Sequence, residues 1–198
     1  SNIINITWGH EKSYSPTTAV RLSNAYLRLC LIEQTFTQVA LNNGKPIGII
    51  MGNSFHTPHK SLKYRLQARW ALWMLSLTAE GRRAWHFFEE VDQIYEKLLS
   101  GQSQDYEGEL SFFAIHPLYR GLGIGKELYR RFFNYMNNEN IRHFYVFTDT
   151  TCNFGFYERQ NMLRCGTEEV KLQVNKKPEK FLFFIYENAV QKHSAENK

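Results

Sequence analysis

Residues 116–133 read HPLYRGLGIGKELYRRFF. Gly121, Gly123 and Gly125 alternate with bulky residues, Arg120 stands just before them, and a charged amphipathic segment follows. Glycine is the poorest helix former after proline, yet here it directly precedes a good helix. Upstream, residues 107–115 (EGELSFFAI) are apolar and β-prone, and they stop at His116-Pro117. The whole reads as strand, tight turn and helix. Such a junction suits an anion. The first N–H groups of a helix lack internal partners and the helix dipole adds partial positive charge. Glycine removes the Cβ atoms that would hold a phosphate away. Arg120 and Lys126 add charge of their own. A tight turn with glycines kept for packing is the plainer alternative.

Spacing excludes two phosphate loops. A P-loop needs GxxxxGK[ST], and Lys126 is followed by Glu127. The dinucleotide fingerprint needs GxGxxG with an acidic partner about 20 residues on, and this turn is GxGxG without that partner.

The rest of the chain is read outward from this unit. Ser15-Pro16 opens a helix predicted over about 16–33, with Ala19, Leu22, Tyr26 and Leu29 at helical spacing. Residues 35–41 and 46–54 read as strands joined through Asn43-Gly44, a strong hairpin signal. Two helical stripes follow: Leu62, Leu66, Trp70, Trp73, Leu77, and then Ala84, Phe88, Val91, Tyr95, Leu98. Thr78 is placed to cap the second helix and Gly101 to end it. The pair predicts an antiparallel helical hairpin, an insert at about 58–100, with its tryptophans in the core or facing a partner. After the glycine turn the helix is predicted to run to about Asn138. Ile124, Leu128, Phe132 and Tyr135 share one face, and Glu127 pairs with Arg131 on another. Residues 142–148 read as a strand and 153–160 as one or two helical turns. MLRCGTEEVKL and KFLFFIYE close the chain as two strands, and a flexible polar tail is expected over 191–198. The order predicts one α/β (α+β) domain over 3–190. Its core is a single mixed, mostly antiparallel sheet flanked by helices and carrying the helical-hairpin insert.

Composition narrows the classes. A chain of 198 residues suits one domain. The net charge of +5 fits a phosphorylated small molecule, and no dense Lys/Arg run supports nucleic acid or a membrane surface. Cys30, Cys152 and Cys165 form neither a disulfide framework nor a zinc motif, so reduced thiols and a cytoplasmic location are expected. His56 and His59 supply at most two ligands, too few for a metal. No apolar signal or spanning segment is evident, and Ser1-Asn2 reads as the remnant of a cleaved tag.

Read as R-x-x-G-x-G, Arg120, Gly123 and Gly125 resemble the acyl-CoA pyrophosphate loop of the GCN5-related N-acetyltransferase (GNAT) superfamily. A later motif of that family is matched by NFGFYERQNM, through Asn153, Phe156, Tyr157 and Glu158. The chain departs from it at Asn161-Met162, where Gly-Phe is usual. The element order from 16 to 187 also agrees, the insert apart.

The resemblance implies acetyl-CoA as acyl donor and a primary amine as acceptor. Backbone N–H groups of Gly121, Leu122, Gly123, Ile124, Gly125 and Lys126 would hold the pyrophosphate beside Arg120. Phe113, Ala114 and Ile115 would pair with pantetheine amides like an added strand. Asn153 would reach the pantetheine arm, with Phe156 beside it. Tyr157 would be the acid that protonates the leaving thiolate. Glu109 would be the base, with Glu107 as a nearby substitute and a water relay left open. His116 is assigned to the loop. No histidine partner for Cys152 is evident, so direct transfer in a ternary complex is expected rather than an acetyl-cysteine.

The acceptor expected is a small amine or amino-acid-like molecule, because acids and bases balance over 58–108 and give polycations no support. A non-catalytic acyl-CoA sensor and a protein or peptide N-acetyltransferase are the alternatives. Nucleic acid is disfavoured because the aromatics fall at core-facing periods. No membrane partner is expected, and a homodimer through the aromatic stripe is left open.

Overall fold

The computed structural model describes residues 2–8, 13–58, 61–174 and 177–188. Helices α1 (Asn2–Trp8) and α2 (Pro16–Glu33) precede a hairpin of β1 (Phe36–Asn42) and β2 (Lys45–Ser54). Helices α3 (Leu62–Ser76) and α4 (Ala79–Ser100) follow, then β3 (Gly108–Ile115), α5 (Ile124–Asn138) and β4 (Phe144–Asp149). The short α6 (Gly155–Arg159) leads into β5 (Met162–Val174) and β6 (Lys177–Asn188). Asn43 and Gly44 both take positive φ, at 48° and 74°, as the predicted tight hairpin requires.

The strands form one sheet in the order β1-β2-β3-β4-β6-β5. Every neighbouring pair is antiparallel except β3 and β4. That parallel pair meets only at Gly108↔Phe144 and Glu109↔Tyr145. Beyond Glu109 the two strands part, and the sheet opens as a V at its middle.

Helices cover both faces. On one, α5 buries Leu128, Tyr129, Phe132 and Met136 against Ile50, Leu110, Phe144, Val146, Phe184 and Tyr186. On the other, α1 and α2 cover Met51, Phe112 and Ala114, while α4 lays Ile94 and Leu98 on Tyr145, Phe183 and Ile185. The predicted mixed α/β architecture, with its mostly antiparallel sheet, is the observed one.

Two features go beyond the expectations. Helix α1 was not anticipated: seven residues carry too few turns for a hydrophobic period to show. The two helices of the insert meet each other near their connection, through Leu75 and Ala84, and each packs mainly on a different neighbour. Helix α3 runs antiparallel along α2, with Ser61 N–H bonded to Ile32 O at one end and Arg21 to Met74 O at the other. Helix α4 lies across the second half of the sheet. Thr78 and Gly101 cap as expected, Ser15 precedes α2 without a side-chain cap bond, and Ser61 is a cap that the sequence pattern did not single out. Ser61 and Thr78 side chains accept from Tyr64 N–H and Gly81 N–H, and Gly101 N–H bonds Lys97 O.

The α3 stripe is not in the core. Leu62 is 71 % exposed, Trp70 63 % and Trp73 52 %. The buried side of α3 is Ala68, Ala71 and Leu75, small enough to let α2 approach closely. The ion pair of Glu127 with Arg131 is present at 2.8 Å, with Arg130 joining it. His59 and the expected tail at 191–198 lie outside the described residues.

Candidate active site

A cleft of about 1440 Å³ runs through the V from the glycine turn to the wall formed by α2 and α4. It gathers Glu109, Phe113, Ala114, Ile115, Arg120, Gly121, Gly123, Gly125, Lys126, Asn153, Phe156 and Tyr157. Leu122 and Ile124 flank the turn from outside it.

The glycine turn is built to leave N–H groups free. Pro117–Tyr119 forms one 3-10 turn, capped by His116, whose Nδ1 accepts from Leu118 N–H. Gly121 and Gly123 then take left-handed φ of 80° and 79°, which side chains disfavour. Ideal Cβ atoms at either would meet nothing, so the space above the turn is open. Gly123 caps α5 with no side-chain hydrogen bond. The first helical bond runs from Glu127 N–H to Gly123 O, which leaves the N–H groups of residues 121–126 without a backbone acceptor among the described residues. Gly125 differs. A Cβ there would meet Phe113 and Phe156 at 3.5 and 3.6 Å, ordinary contact distances, so neither crowding by the protein nor backbone conformation requires a glycine at this position. Arg120 turns back, its Nε bonding Ile115 O at 3.3 Å, and clamps the turn to the strand end. Lys126 and Leu122 are exposed, and Ile124 is half-buried against the α5 core.

The parted edge of β3 supplies a second set of groups. Residues 110–115 have no β4 partner, so their backbone groups on that edge are open to an extended ligand. This stretch contains Phe113, Ala114 and Ile115. Asn153 is exposed at the cleft just before α6. Phe156 is a packing residue, its ring 5.3 Å from that of Phe113 and 5.8 Å from that of Tyr129.

A bulge decides where Glu109 points. Met51 pairs with Phe112 but Asn53 pairs with Glu109, so β3 carries one extra residue against β2. Phe113 and Ile115 join the core under α5. Strict alternation would send Glu109 the same way. The extra residue sends it instead to the face of Phe112, beside Asn53. Asn53 Nδ2 donates to Glu109 Oε2 at 3.3 Å. Burial pushes the Glu109 carboxyl up to about 7, the Asn53 hydrogen bond opposes this, and the Glu33 carboxylate adds to it. A carboxyl raised to that range exchanges its proton near neutrality.

Tyr157 approaches from the other face. It is buried, and its ring packs beside Tyr186 and Phe156. Burial holds its hydroxyl well above the usual tyrosine range, with lesser repulsion from Cys152 and Tyr129, so it keeps its proton. Glu107, the substitute base, is occupied elsewhere. It accepts from Arg142 and His143 N–H and is held below the usual carboxylate range, chiefly by the first of these. Cys152 lines the cleft, but burial and Asp149 push its thiol up, which weakens it as a nucleophile.

Sequence reasoning missed Asn53, Tyr26, Phe88, Tyr95 and Asp92, which surround Glu109 or wall the cleft beyond it. Only the register and the helix packing bring them together. The spacing of Phe88 and Tyr95 marked a helix face without saying what it faced. Among the described residues, no group of three His, Cys, Asp or Glu side chains is placed to hold a metal. No helix there is long and apolar enough to cross a membrane.

Similarity to known proteins follows the same lines. Solved structures similar to this chain include a GCN5-related N-acetyltransferase from Rhodopseudomonas palustris at 12 % identity, covering 93 % of this chain and 84 % of that one, with a TM-score of 0.46. An Elizabethkingia anophelis GNAT acetyltransferase with acetyl-CoA bound is 10 % identical, covering 82 % and 80 %, with a TM-score of 0.44. The Drosophila melanogaster polyamine N-acetyltransferase is 13 % identical, covering 75 % and 73 %, with a TM-score of 0.47. No curated protein matches the chain. The model of the family described as "Acetyltransferase (GNAT) family" matches residues 3–162, from α1 through the glycine turn to the first residue of β5. A match over that span makes this chain a member of the GNAT acetyltransferases, acyltransferases that draw on acetyl-CoA.

Proposed function

We propose that this enzyme moves the acetyl group of acetyl-CoA directly to a small primary amine, with Glu109 as base and Tyr157 as acid. One observation carries the reading: Glu109, where β3 and β4 part, and Tyr157, on the short helix after β4, line the same cleft from opposite faces of the sheet. An amine arriving from the α2–α4 side meets Glu109 first. A thioester lying in the V from the glycine turn meets Tyr157. Glu109 takes the proton that the ammonium must lose. The amine nitrogen bonds to the thioester carbonyl carbon, the carbon–sulfur bond breaks, Tyr157 gives its proton to the sulfur, and the second proton shed by the new amide nitrogen passes to the Tyr157 oxygen and restores the phenol. Burial keeps the Tyr157 hydroxyl protonated, so its O–H can donate to the sulfur as negative charge develops there; the same burial makes it a weaker acid, and its geometry rather than its acidity assigns it this role. A direct attack also agrees with the raised thiol of Cys152.

The cleft favours a simple amine over an amino acid. Glu33, Asp92 and Glu96 line its α2–α4 end together with Tyr26, Phe88 and Tyr95. The cationic lining residues described, Arg120, Lys126 and Arg159, belong instead to the glycine turn, the start of α5 and α6. An ammonium group finds carboxylates there, and an acceptor carboxylate finds no described cation. The free thiols of Cys30, Cys152 and Cys165 suit a reducing cytoplasm.

The test is thiol release from acetyl-CoA across a panel of amines with and without a carboxylate. Release is expected with carboxylate-free amines and should fall about a hundredfold in Tyr157→Phe. Acetyl-CoA binding without release over the panel would favour the sensor reading.

A further inference from the structure

Helix α3 wears its large residues on the outside. Its exposed positions are Leu62, Lys63, Arg65, Leu66, Arg69, Trp70, Trp73 and Ser76, with Leu77 just beyond its end. On a helical projection Leu62, Leu66, Trp70, Trp73 and Leu77 fall within one narrow arc. Arg65 and Arg69 border that arc on one side and Lys63 on the other. The Trp70 and Trp73 rings lie together, 4.9 Å between centroids. None of the three basic side chains enters an ion pair among the described residues. The exposed face of α3 carries no carboxylate at all. Helix α4 shows how an ordinary solvated face looks: Arg82, Arg83, His86, Glu89 and Lys97 mix both signs and no large apolar residue.

We propose that α3 docks this enzyme on an anionic lipid surface. The Leu–Trp ridge enters the headgroup boundary, and Lys63, Arg65 and Arg69 meet the lipid charges. Charge complementarity selects this occupant. An interfacial helix has Trp and Leu on its buried side and Lys or Arg along the borders, where their stems reach up to the headgroups. Each basic residue near an anionic leaflet adds attraction that salt weakens. The shape agrees: the face is a single convex ridge about 22 Å long at 1.5 Å per residue, which a fluid surface accommodates without a preformed groove. A second copy is a poor fit. Two ridges laid together bring Lys63, Arg65 and Arg69 of each copy into one interface with no carboxylate from either ridge to neutralise them. An inverted helix face is neither a spanning segment nor a dense basic run, so the linear sequence does not mark it as a membrane surface. The ridge lies outside the catalytic cleft, so docking leaves the chemistry of that site untouched.

Vesicle co-sedimentation of the full chain tests this. Phosphatidylcholine vesicles with and without phosphatidylserine are compared at low and high salt. Pelleting with the anionic vesicles, reduced by salt, is expected. A Leu66→Ser/Leu77→Ser variant, which keeps both tryptophans, should lose about tenfold in binding and the accompanying blue shift of tryptophan emission. A Lys63→Gln/Arg65→Gln/Arg69→Gln variant should lose the preference for anionic vesicles. All these positions are exposed, and amine acetylation in solution should stay at the parent rate in both variants, which shows that each is folded. The proposal is overturned if neither vesicle pellets the parent. It is equally overturned if pelleting survives both variants, or if the parent is a dimer in solution that the Leu66→Ser/Leu77→Ser variant dissolves. Binding to a polyglutamate peptide without binding to vesicles would assign the face to an acidic protein partner and likewise overturn it.

Discussion

Helices α5 and α3 are both fifteen residues long and both carry an apolar stripe, yet they turn it in opposite directions. Helix α5 buries Leu128, Phe132 and Met136 and shows Glu127, Arg130 and Arg131 to water. Helix α3 buries Ala68, Ala71 and Leu75 and shows leucines and tryptophans. The difference follows from what each packs on. The sheet offers α5 a broad apolar floor that large side chains fill. Helix α2 offers α3 another cylinder, where small residues bring the axes close and more contact is gained than lost. A hydrophobic period therefore marks a stripe without saying whether the stripe is the inside.

Truncating each helix's own stripe is the hardest test of that contrast. Phe132 has no exposure at all, and Phe132→Ala should cost about 3–5 kcal/mol in denaturant unfolding. Trp70→Ala removes a larger side chain and should shift stability by no more than about 0.5 kcal/mol. A large cost for Trp70→Ala would mean that the α3 stripe is covered after all, and the comparison would fail.

The same question of direction governs β3. Alternation alone would place Glu109 with Phe113 under α5, and the bulge beside it moves the carboxylate to the α2–α4 side. With the carboxyl pushed up to about 7, kcat/KM should rise with pH through about 7 as Glu109 loses its proton. Glu109→Gln should lower kcat/KM about a hundredfold and abolish that limb. Stability moves the opposite way. The folded state holds the Glu109 proton more tightly than the unfolded chain does, so this contribution is present below about 4.5 and is lost as pH rises through about 7. Glu109→Gln should therefore gain stability on the parent at pH 8 and little at pH 4. A rate limb unchanged in Glu109→Gln would hand the base role to a water relay.

What sequence made legible divides along this line. Strand, turn and helix order followed from local signals: Asn43-Gly44, the cap Thr78, and the glycines at 121 and 123 each act within a few residues. The proposed cofactor loop is local in the same sense, since its chemistry is a helix start and the turn before it. The acceptor side is not local. Asn53 meets Glu109 through strand register, and Tyr26, Phe88 and Asp92 arrive on two helices whose placement no short motif encodes. The α3 stripe belongs with these: its spacing was plain, and its exposure depends on the shape of α2.

The helix starts sharpen the comparison once more. At α3, Ser61 accepts from Tyr64 N–H at 3.4 Å, so the end is closed by its own side chain. At α5, Gly123 has no side chain to give, and the end stays open toward the cleft. Gly123→Ala separates the two uses of glycine. Its Cβ meets nothing, so crowding of the protein is not at issue. The left-handed φ of 79° costs a non-glycine residue about 1–2 kcal/mol. Part of that strain falls on stability and part is relieved if the turn shifts, which moves the N–H groups of 121–126 off their common target. Calorimetry should then show acetyl-CoA binding weakened about tenfold in a protein that still unfolds cooperatively, since a misplaced hydrogen-bonded phosphate loses an increment of this order. Ser61→Ala should cost about 1 kcal/mol of stability and leave that affinity alone. Equal affinity in Gly123→Ala and parent would mean that the open end of α5 is a packing turn only, and that the pyrophosphate lies elsewhere in the cleft.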